Sequence, residues 1–386
     1  MDNSKVVVLG AGTMGVEIAL IFSLSGSQVL LLDLPREENS NETLSQWAVE
    51  KAKLRYFTDP LRTSALERIN TGILDDKVES ISQADWIVEA VTERIEIKRE
   101  ILAFLDTALR DDTIVTSNTS GISINKLAND RSKKFKSNFL GCHFFNPASF
   151  IPLIELIPSK WTSRIILNQV NSHLTFKLGK RIVFSKDVPN FIVNRFLFHQ
   201  VMYAIENAIA QELPVPVVDL LCGPWIGRPK TAVFGLVDLI GIDVWMELCN
   251  NMGRDIFEYP NSYRVLEQMR ESGRLGRKSG SGFFLQEPTE KPSPKVSYLD
   301  LQTMDYQPLS NSPVLKVPEK ELPSRIFNII HEVDKTKNGI FQRKLLLKEL
   351  QRARELVPYA SDSIADINTA IKLGLGHQLG PLEIQN

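Results

Sequence analysis

The amino-acid sequence predicts an α/β protein: a doubly wound, mostly parallel sheet, then an all-α C-terminal domain that closes on a partial second helical repeat. Three observations predict it. Strand-length apolar runs alternate with longer amphipathic segments over the first 185 residues. From Pro189 onward, long helical periodicity replaces that rhythm. The pattern around Asp219 also returns, weakly, around Asp366.

The strand runs are Lys5 to Leu9, Gln28 to Leu32, Trp86 to Glu89, Thr113 to Thr116 and Asn138 to His143. Their βαβ spacing means a parallel sheet with helices on both faces, in a first domain of residues 1–186. A long helix, Asn190 to Glu212, starts the helical domain of residues 187–285, with Phe191, Phe198, Met202, Ile205 and Ile209 at helical spacing. That domain ends on the glycine-rich run Gly273 to Phe284. Six prolines between Gln286 and Glu319 mark residues 286–320 as a Pro-rich linker or an extended crossing segment.

Residues 321–386 form the partial repeat, helical from Leu322 to Leu373. Asp219 is followed eight positions on by Gly227, and Asp366 eight positions on by Gly374. The second copy stops near the counterpart of Asp238. The stop reads as a boundary imposed on a longer chain or a domain edge, with a natural terminus as the other reading. Ile326, Ile329, Ile330, Leu345, Leu346 and Leu350 need burial at roughly 25 cal/mol per Å². The expected cover is the first helical domain; a second subunit, through dimerisation of the helical domain, or a downstream module are the alternatives.

A length of 386 residues allows two or three domains, each with its own core. Lys+Arg 45 against Asp+Glu 46 leaves a net charge of -1, which removes any overall pull toward nucleic acid or acidic membranes. No apolar run approaches the ~18 residues of a membrane span, and Met1 to Val8 lacks the regions of a signal peptide. Cys142, Cys222 and Cys249 are too scattered for a disulfide framework, so a reducing compartment, by default the cytoplasm, is expected. No Cys or His shows zinc-ligand spacing, and no metal is expected.

Gly10, Ala11, Gly12, Thr13, Met14 and Gly15 spell a G-x-G-x-x-G turn directly after the first strand and open the next helix. This is the setting of a Rossmann-type nucleotide site: a tight turn, close backbone approach to a pyrophosphate at the helix N-terminus, and close helix–strand packing. Asp33 ends the next strand, eighteen residues past Gly15, where it can accept both adenine-ribose hydroxyls. A carboxylate there repels a 2′-phosphate, so NAD is expected over NADP.

Ser117 to Ser120 follow a strand at the sheet edge where ligands sit in open α/β folds, although a polar loop without a role would look the same. His143 ends another strand and Glu155 follows twelve residues later on the next apolar run, a better base candidate than a lone core histidine. A neighbouring Glu orients the imidazole and stabilises its protonated form. Cys142 is its neighbour along the strand, hence on the opposite face, and a Cys/His pair is disfavoured. Asn194, in an apolar helical face, needs a partner, which a substrate or a backbone group would provide.

Gly10 to Gly15, Ala84 to Ala90, Glu93, Lys98, Ser117 to Ser120, His143 to Pro147, Glu155, Phe191 to Arg195 and Gly276 to Gly280 together resemble the 3-hydroxyacyl-CoA dehydrogenase family, from about Lys5 to Phe284. The stretches Gly223 to Lys230 and Ser120 to Ile124, with the half-repeat tail, look most like the dehydrogenase portion of prokaryotic polypeptides that fuse it to an enoyl-CoA hydratase. The resemblance implies NAD-dependent oxidation of 3-hydroxyacyl-CoA in fatty-acid β-oxidation, with an acyl-CoA substrate and a hydratase module or subunit as partner. It matches His143 to the general base, Glu155 to its paired carboxylate, and Ser120 and Asn194 to the groups holding the substrate oxygen. Asp33, Glu93, Lys98, Asn146 and Lys278 match positions contacting NAD.

Two positions depart from the family: Asn190 stands for a usual Gly, and Pro152 for a frequent Lys. Arg36 to Asp76, where the family often contacts coenzyme A, diverges too far for transfer. A Ser120/His143/Glu155 acyl hydrolase and a non-catalytic NAD-binding paralogue are the rival readings. The hydrolase lacks a G-x-S-x-G elbow and would not need the dinucleotide turn.

Overall fold

The computed structural model describes residues 4–35, 42–74, 78–287, 295–311, 321–332 and 334–384. The chain divides into two compact units, Met1–Phe191 and Ile192–Asn386. The first extends past the expected end at Lys186 because Phe191 is fully buried in the same apolar cluster as Leu102 and Phe139. Asn190 and Phe191 take φ of 61° and 52°, and the helix expected from Asn190 starts at Val193. Asn tolerates this left-handed region better than most residues, so Asn190 can stand where a Gly is usual.

The first unit is built on an eight-stranded sheet: β1 (Lys5–Leu9), β2 (Gln28–Asp33), β3 (Asn70–Ile73), β4 (Trp86–Glu89), β5 (Ile114–Ser117), β6 (Phe139–Phe144), β7 (Leu153–Pro158) and β8 (Arg181–Phe184). The order is β3-β2-β1-β4-β5-β6-β7-β8. All pairs are parallel except β6 with β7. The β6–β7 link, Phe145–Pro152, has eight residues and no helix, too short for the crossover a parallel return needs. Alternation along β1 sends Val6 and Val8 into one core and Val7 and Leu9 into the other, so both faces are covered. Order reverses between β1 and β4, the switch point at which such sheets bind ligands. Strand β3 departs from the sequence expectation: its Asn-Thr-Gly-Ile sequence carries little strand signal, and residues 36–41 and 75–76 of the divergent segment around it lie outside the described residues.

The second unit is mainly helical, with Val193–Gln211 at its centre against Lys337–Tyr359. It also holds a three-stranded antiparallel sheet of β9 (Phe284–Glu287), β10 (Lys295–Leu299) and β11 (Tyr306–Pro308), so the segment expected as a linker is extended and packed where it is described. Ser297, Tyr298 and Leu299 are buried, which proline content alone does not reveal. Residues 288–294 and 312–320 of that segment lie outside the described residues. The stretch expected as helical from Leu322 to Leu373 is three helices, Leu322–His331, Lys337–Tyr359 and Ile364–Leu375. Phe341 and Leu345 enter the core of Phe198, Val201 and Met202, while Ile326 and Leu346 pack with Ile226. Each copy of the repeat sets a long helix before a shorter one: Val193–Gln211 before Val215–Cys222, and Lys337–Tyr359 before Ile364–Leu375.

Candidate active site

The glycine turn leaves β1 at the switch point. A Cβ on Gly15 would stand 1.7 Å from the Gly10 carbonyl oxygen, so the turn and helix close only on glycine. At Gly12 the opposite holds: a Cβ there would meet nothing within 4 Å. The helix Thr13–Leu24 starts at Gly12 with no side-chain cap, so its first N–H groups face that open space, a cradle that fits a pyrophosphate. Asp33 closes β2 beside it, with Oδ2 accepting from Ala11 N–H at 2.5 Å and Oδ1 from Leu34 N–H at 2.7 Å. Each oxygen keeps a lone pair for a ribose hydroxyl. The residues present fit NAD.

At the C-terminal ends of β4 and β5 a charged network is packed inside the unit. Glu89 is fully buried and Lys98 is 1% exposed. Lys98 Nζ donates to Glu89 Oε1 at 2.7 Å and to the Val91 carbonyl at 3.3 Å, and pairs with Glu93 Oε2 at 3.3 Å. Ser117 Oγ donates to the other Glu89 oxygen. Glu93 Oε1 in turn accepts from Thr119 Oγ1 at 2.5 Å and from the Ser120 N–H at 2.8 Å. The structure therefore joins Glu93 to Ser120, and places Lys98, expected against NAD, in buried ion pairs with Glu89 and Glu93. Sequence reasoning missed Glu89 as the anchor of this network. Its signal is the one that marks Asp33, an acid as the last residue of an apolar strand.

His143 on β6 and Glu155 on β7 are paired across the antiparallel ladder. His143 Nδ1 lies 2.7 Å from Glu155 Oε2, with the imidazole 4% and the carboxylate 0% exposed. Phe145 and Phe191 pack on the imidazole at 4.4 and 5.8 Å between centroids. With Nδ1 donating to the carboxylate, Nε2 is the ring nitrogen left for a substrate. Asn118 Oδ1 accepts from Phe144 N–H at 2.9 Å, tying the Ser117 to Ser120 loop to the end of this strand. Cys142 points into the opposite core, where burial pushes its thiol far up.

Ser120 and Asn146 are exposed on loops at this edge of the sheet. Asn194 and Lys278 belong to the second unit. Asn194 is half-buried on the first turn of Val193–Gln211. Lys278 donates to both carboxylate oxygens of Asp243. Burial alone would raise the Asp243 carboxyl; the hydrogen bonds and charge of Lys278, together with the Val244 N–H, outweigh it and hold it below its ordinary range.

An open sheet with a glycine turn at its switch point, an acid ending the second strand and a buried His–Glu pair at its C-terminal edge define a dinucleotide-binding domain that carries a candidate acid–base pair. Residues 5–188 match the 3-hydroxyacyl-CoA dehydrogenase NAD binding domain, and residues 191–286 the 3-hydroxyacyl-CoA dehydrogenase C-terminal domain. A probable 3-hydroxyacyl-CoA dehydrogenase of Deinococcus radiodurans is 33% identical over 77% of this chain and 87% of its own. One of Bacillus subtilis is 35% identical over 98% of this chain and 50% of its own. The chain thus spans about half the length of that relative, and 53% of a putative fatty acid oxidation complex trifunctional enzyme of Rickettsia prowazekii. The (S)-3-hydroxybutyryl-CoA dehydrogenase of Ralstonia eutropha superposes with a TM-score of 0.57 at 29% identity, covering 72% of this chain and 97% of that one. For 3-hydroxybutyryl-CoA dehydrogenase of Escherichia coli the score is 0.73, at 23% identity over 99% and 91%, a likeness of fold. The chain belongs to the 3-hydroxyacyl-CoA dehydrogenase family.

Proposed function

We propose that the protein oxidises 3-hydroxyacyl-CoA to 3-oxoacyl-CoA with NAD, the dehydrogenation of fatty-acid β-oxidation. The observation that carries this reading is the buried His143–Glu155 pair at 2.7 Å on a nucleotide-binding sheet. His143 Nε2 takes the 3-hydroxyl proton. NAD, when bound, supplies the acceptor for the hydride that leaves C3. Glu155 holds Nδ1–H toward itself and stabilises the imidazolium as the proton arrives. Ser120 and Asn194 hold the substrate oxygen in this account, so that loss of proton and hydride is one positioned event. In reverse, His143 is the acid.

The same reading assigns partners. Relatives named as fatty acid oxidation complex proteins extend well beyond the matched region, which supports an enoyl-CoA hydratase module or subunit acting beside this chain. Three buried cysteines outside any disulfide support a reducing, cytoplasmic setting. No helix among the described residues is long and apolar enough to cross a membrane.

The test is one assay on the purified chain with 3-hydroxyacyl-CoA substrates of several lengths. NADH absorbance should appear without release of free CoA. Free CoA without NADH would identify a Ser/His/Glu hydrolase, and neither product a non-catalytic paralogue.

A further inference from the structure

The eight-residue loop Phe145–Pro152, which joins the strand of His143 to that of Glu155, is held from two sides by buried charged groups outside the site described above. Glu17 lies two residues past Gly15 on the helix Thr13–Leu24 and is 1% exposed. Its Oε2 accepts from the Ser149 hydroxyl at 2.8 Å and the Ser149 N–H at 3.2 Å. Its Oε1 accepts from the Tyr56 hydroxyl at 2.5 Å and from the Arg55 guanidinium at 3.4 Å. From the other side Lys180, 8% exposed, donates to the Ala148 carbonyl at 2.5 Å and the Ile151 carbonyl at 2.8 Å. Burial pushes the Lys180 ammonium down and the charge of Glu17 pushes it back up. At the loop tip, the Arg62 guanidinium lies 4.4 Å over the Phe150 ring and 5.6 Å over Tyr56.

A buried carboxylate is costly unless its hydrogen bonds are complete, and an apolar side chain could fill the same space. Packing this helix on the sheet needs no charge, because Ile18, Ala19 and Phe22 already do it. What Glu17 adds is a directional link from the nucleotide turn to the backbone of the loop. Ser149, its partner, stands three residues beyond Asn146.

We propose that Glu17 and Lys180 are positioning residues: they clamp the β6–β7 loop so that His143 and Asn146 keep one geometry relative to the glycine turn. This rests on the dehydrogenation proposed above. The clamp acts through the loop and touches no reacting atom.

The experiment compares the full-length chain with Glu17→Leu, Glu17→Gln, Lys180→Met and Ser149→Ala. It reads kcat and KM for a short 3-hydroxyacyl-CoA, the isotope effect with C3-deuterated substrate, the melting temperature, and the rate at which diethyl pyrocarbonate modifies His143, mapped by peptide, without NAD or substrate. Glu17→Leu should fold, since it removes a buried charge, yet lose roughly ten- to hundredfold in kcat. KM should move far less and the isotope effect on kcat should grow. Glu17→Gln keeps an oxygen for Ser149 and should recover most of kcat. In Glu17→Leu and Lys180→Met, His143 should be modified several-fold faster. If Glu17→Leu fails to fold, Ser149→Ala, which removes only the hydroxyl contact, should show the same pattern in milder form. Wild-type kcat in Glu17→Leu, or unchanged His143 modification in every folded variant, overturns the clamp. If the unaltered chain makes no NADH, the proposed function fails, and the pyrocarbonate arm still decides the clamp.

Discussion

Arg228 and Glu349 meet as a buried two-pronged ion pair, Nη1 to Oε1 at 2.8 Å and Nη2 to Oε2 at 2.5 Å, with side chains 7% and 4% exposed. Gln200 adds a third hydrogen bond to Glu349 at 2.7 Å. Arg228 comes from the Gly223 to Lys230 stretch and Glu349 from the tail helix, so the partial repeat is fastened to the first copy within one unit.

Removing one partner should therefore be severe. Glu349→Ala leaves a guanidinium buried without its carboxylate and should cost about 3–5 kcal/mol, read as a fall in the urea midpoint. Joint replacement, Arg228→Met with Glu349→Leu, should recover most of that loss. Truncation after Gln286 strips the cover from Phe198 and Met202 and should lower the melting temperature or cause aggregation. An unchanged melting temperature would show that the tail adds no packing.

Asp33→Ala should weaken NAD binding by roughly tenfold, about 1.4 kcal/mol, and narrow the preference over NADP. The variant loses both the ribose acceptor and the acceptor of the Ala11 N–H. Fluorescence titration with the two reduced nucleotides reads this, and better binding of NADPH than NADH by the unaltered chain would refute the role of Asp33.

Burial pushes the Asp219 carboxyl up to about 7, against the N–H groups of Phe234, Gly235 and Val233 that pull it down. Burial likewise pushes Asp238 up to about 6. Both values lie above the ordinary 3.8, so the folded state holds these protons more tightly than the unfolded chain. Their contribution to stability is fully present below the unfolded value and is lost as pH rises through about 6 to 7. The difference in melting temperature between the unaltered chain and Asp219→Asn should shift in favour of the variant across that window. A pH-independent difference would contradict the raised value.

Much of this was legible in the residues themselves. The glycine turn, Asp33 and the strand of His143 are local patterns, written in turn chemistry and period-two alternation within a few residues. The His143–Glu155 contact was also within reach, because a short helix-free link forces the second strand back beside the first. The burial of Lys98 was not, since it depends on Glu89 from a neighbouring strand and on the packing of Leu102 and Leu105 around the same helix. Residues 295–308 read as linker because the six prolines between Gln286 and Glu319 lie mostly on either side of them, while the burial of Tyr298 and Leu299 arises from a core whose other members are mostly distant in sequence. Glu17 carries no local signal of its role, because its partners Tyr56 and Ser149 are distant in sequence.

In the proposed dehydrogenation His143, oriented by Glu155, moves the substrate proton. The most direct measurement is single-turnover NADH formation by His143→Gln with saturating 3-hydroxyacyl-CoA, alongside NADH binding by fluorescence. The rate in His143→Gln should fall by roughly 10²–10⁴-fold with nucleotide affinity almost unchanged, and Glu155→Gln should lose less. Wild-type rates in both variants would contradict this role of His143.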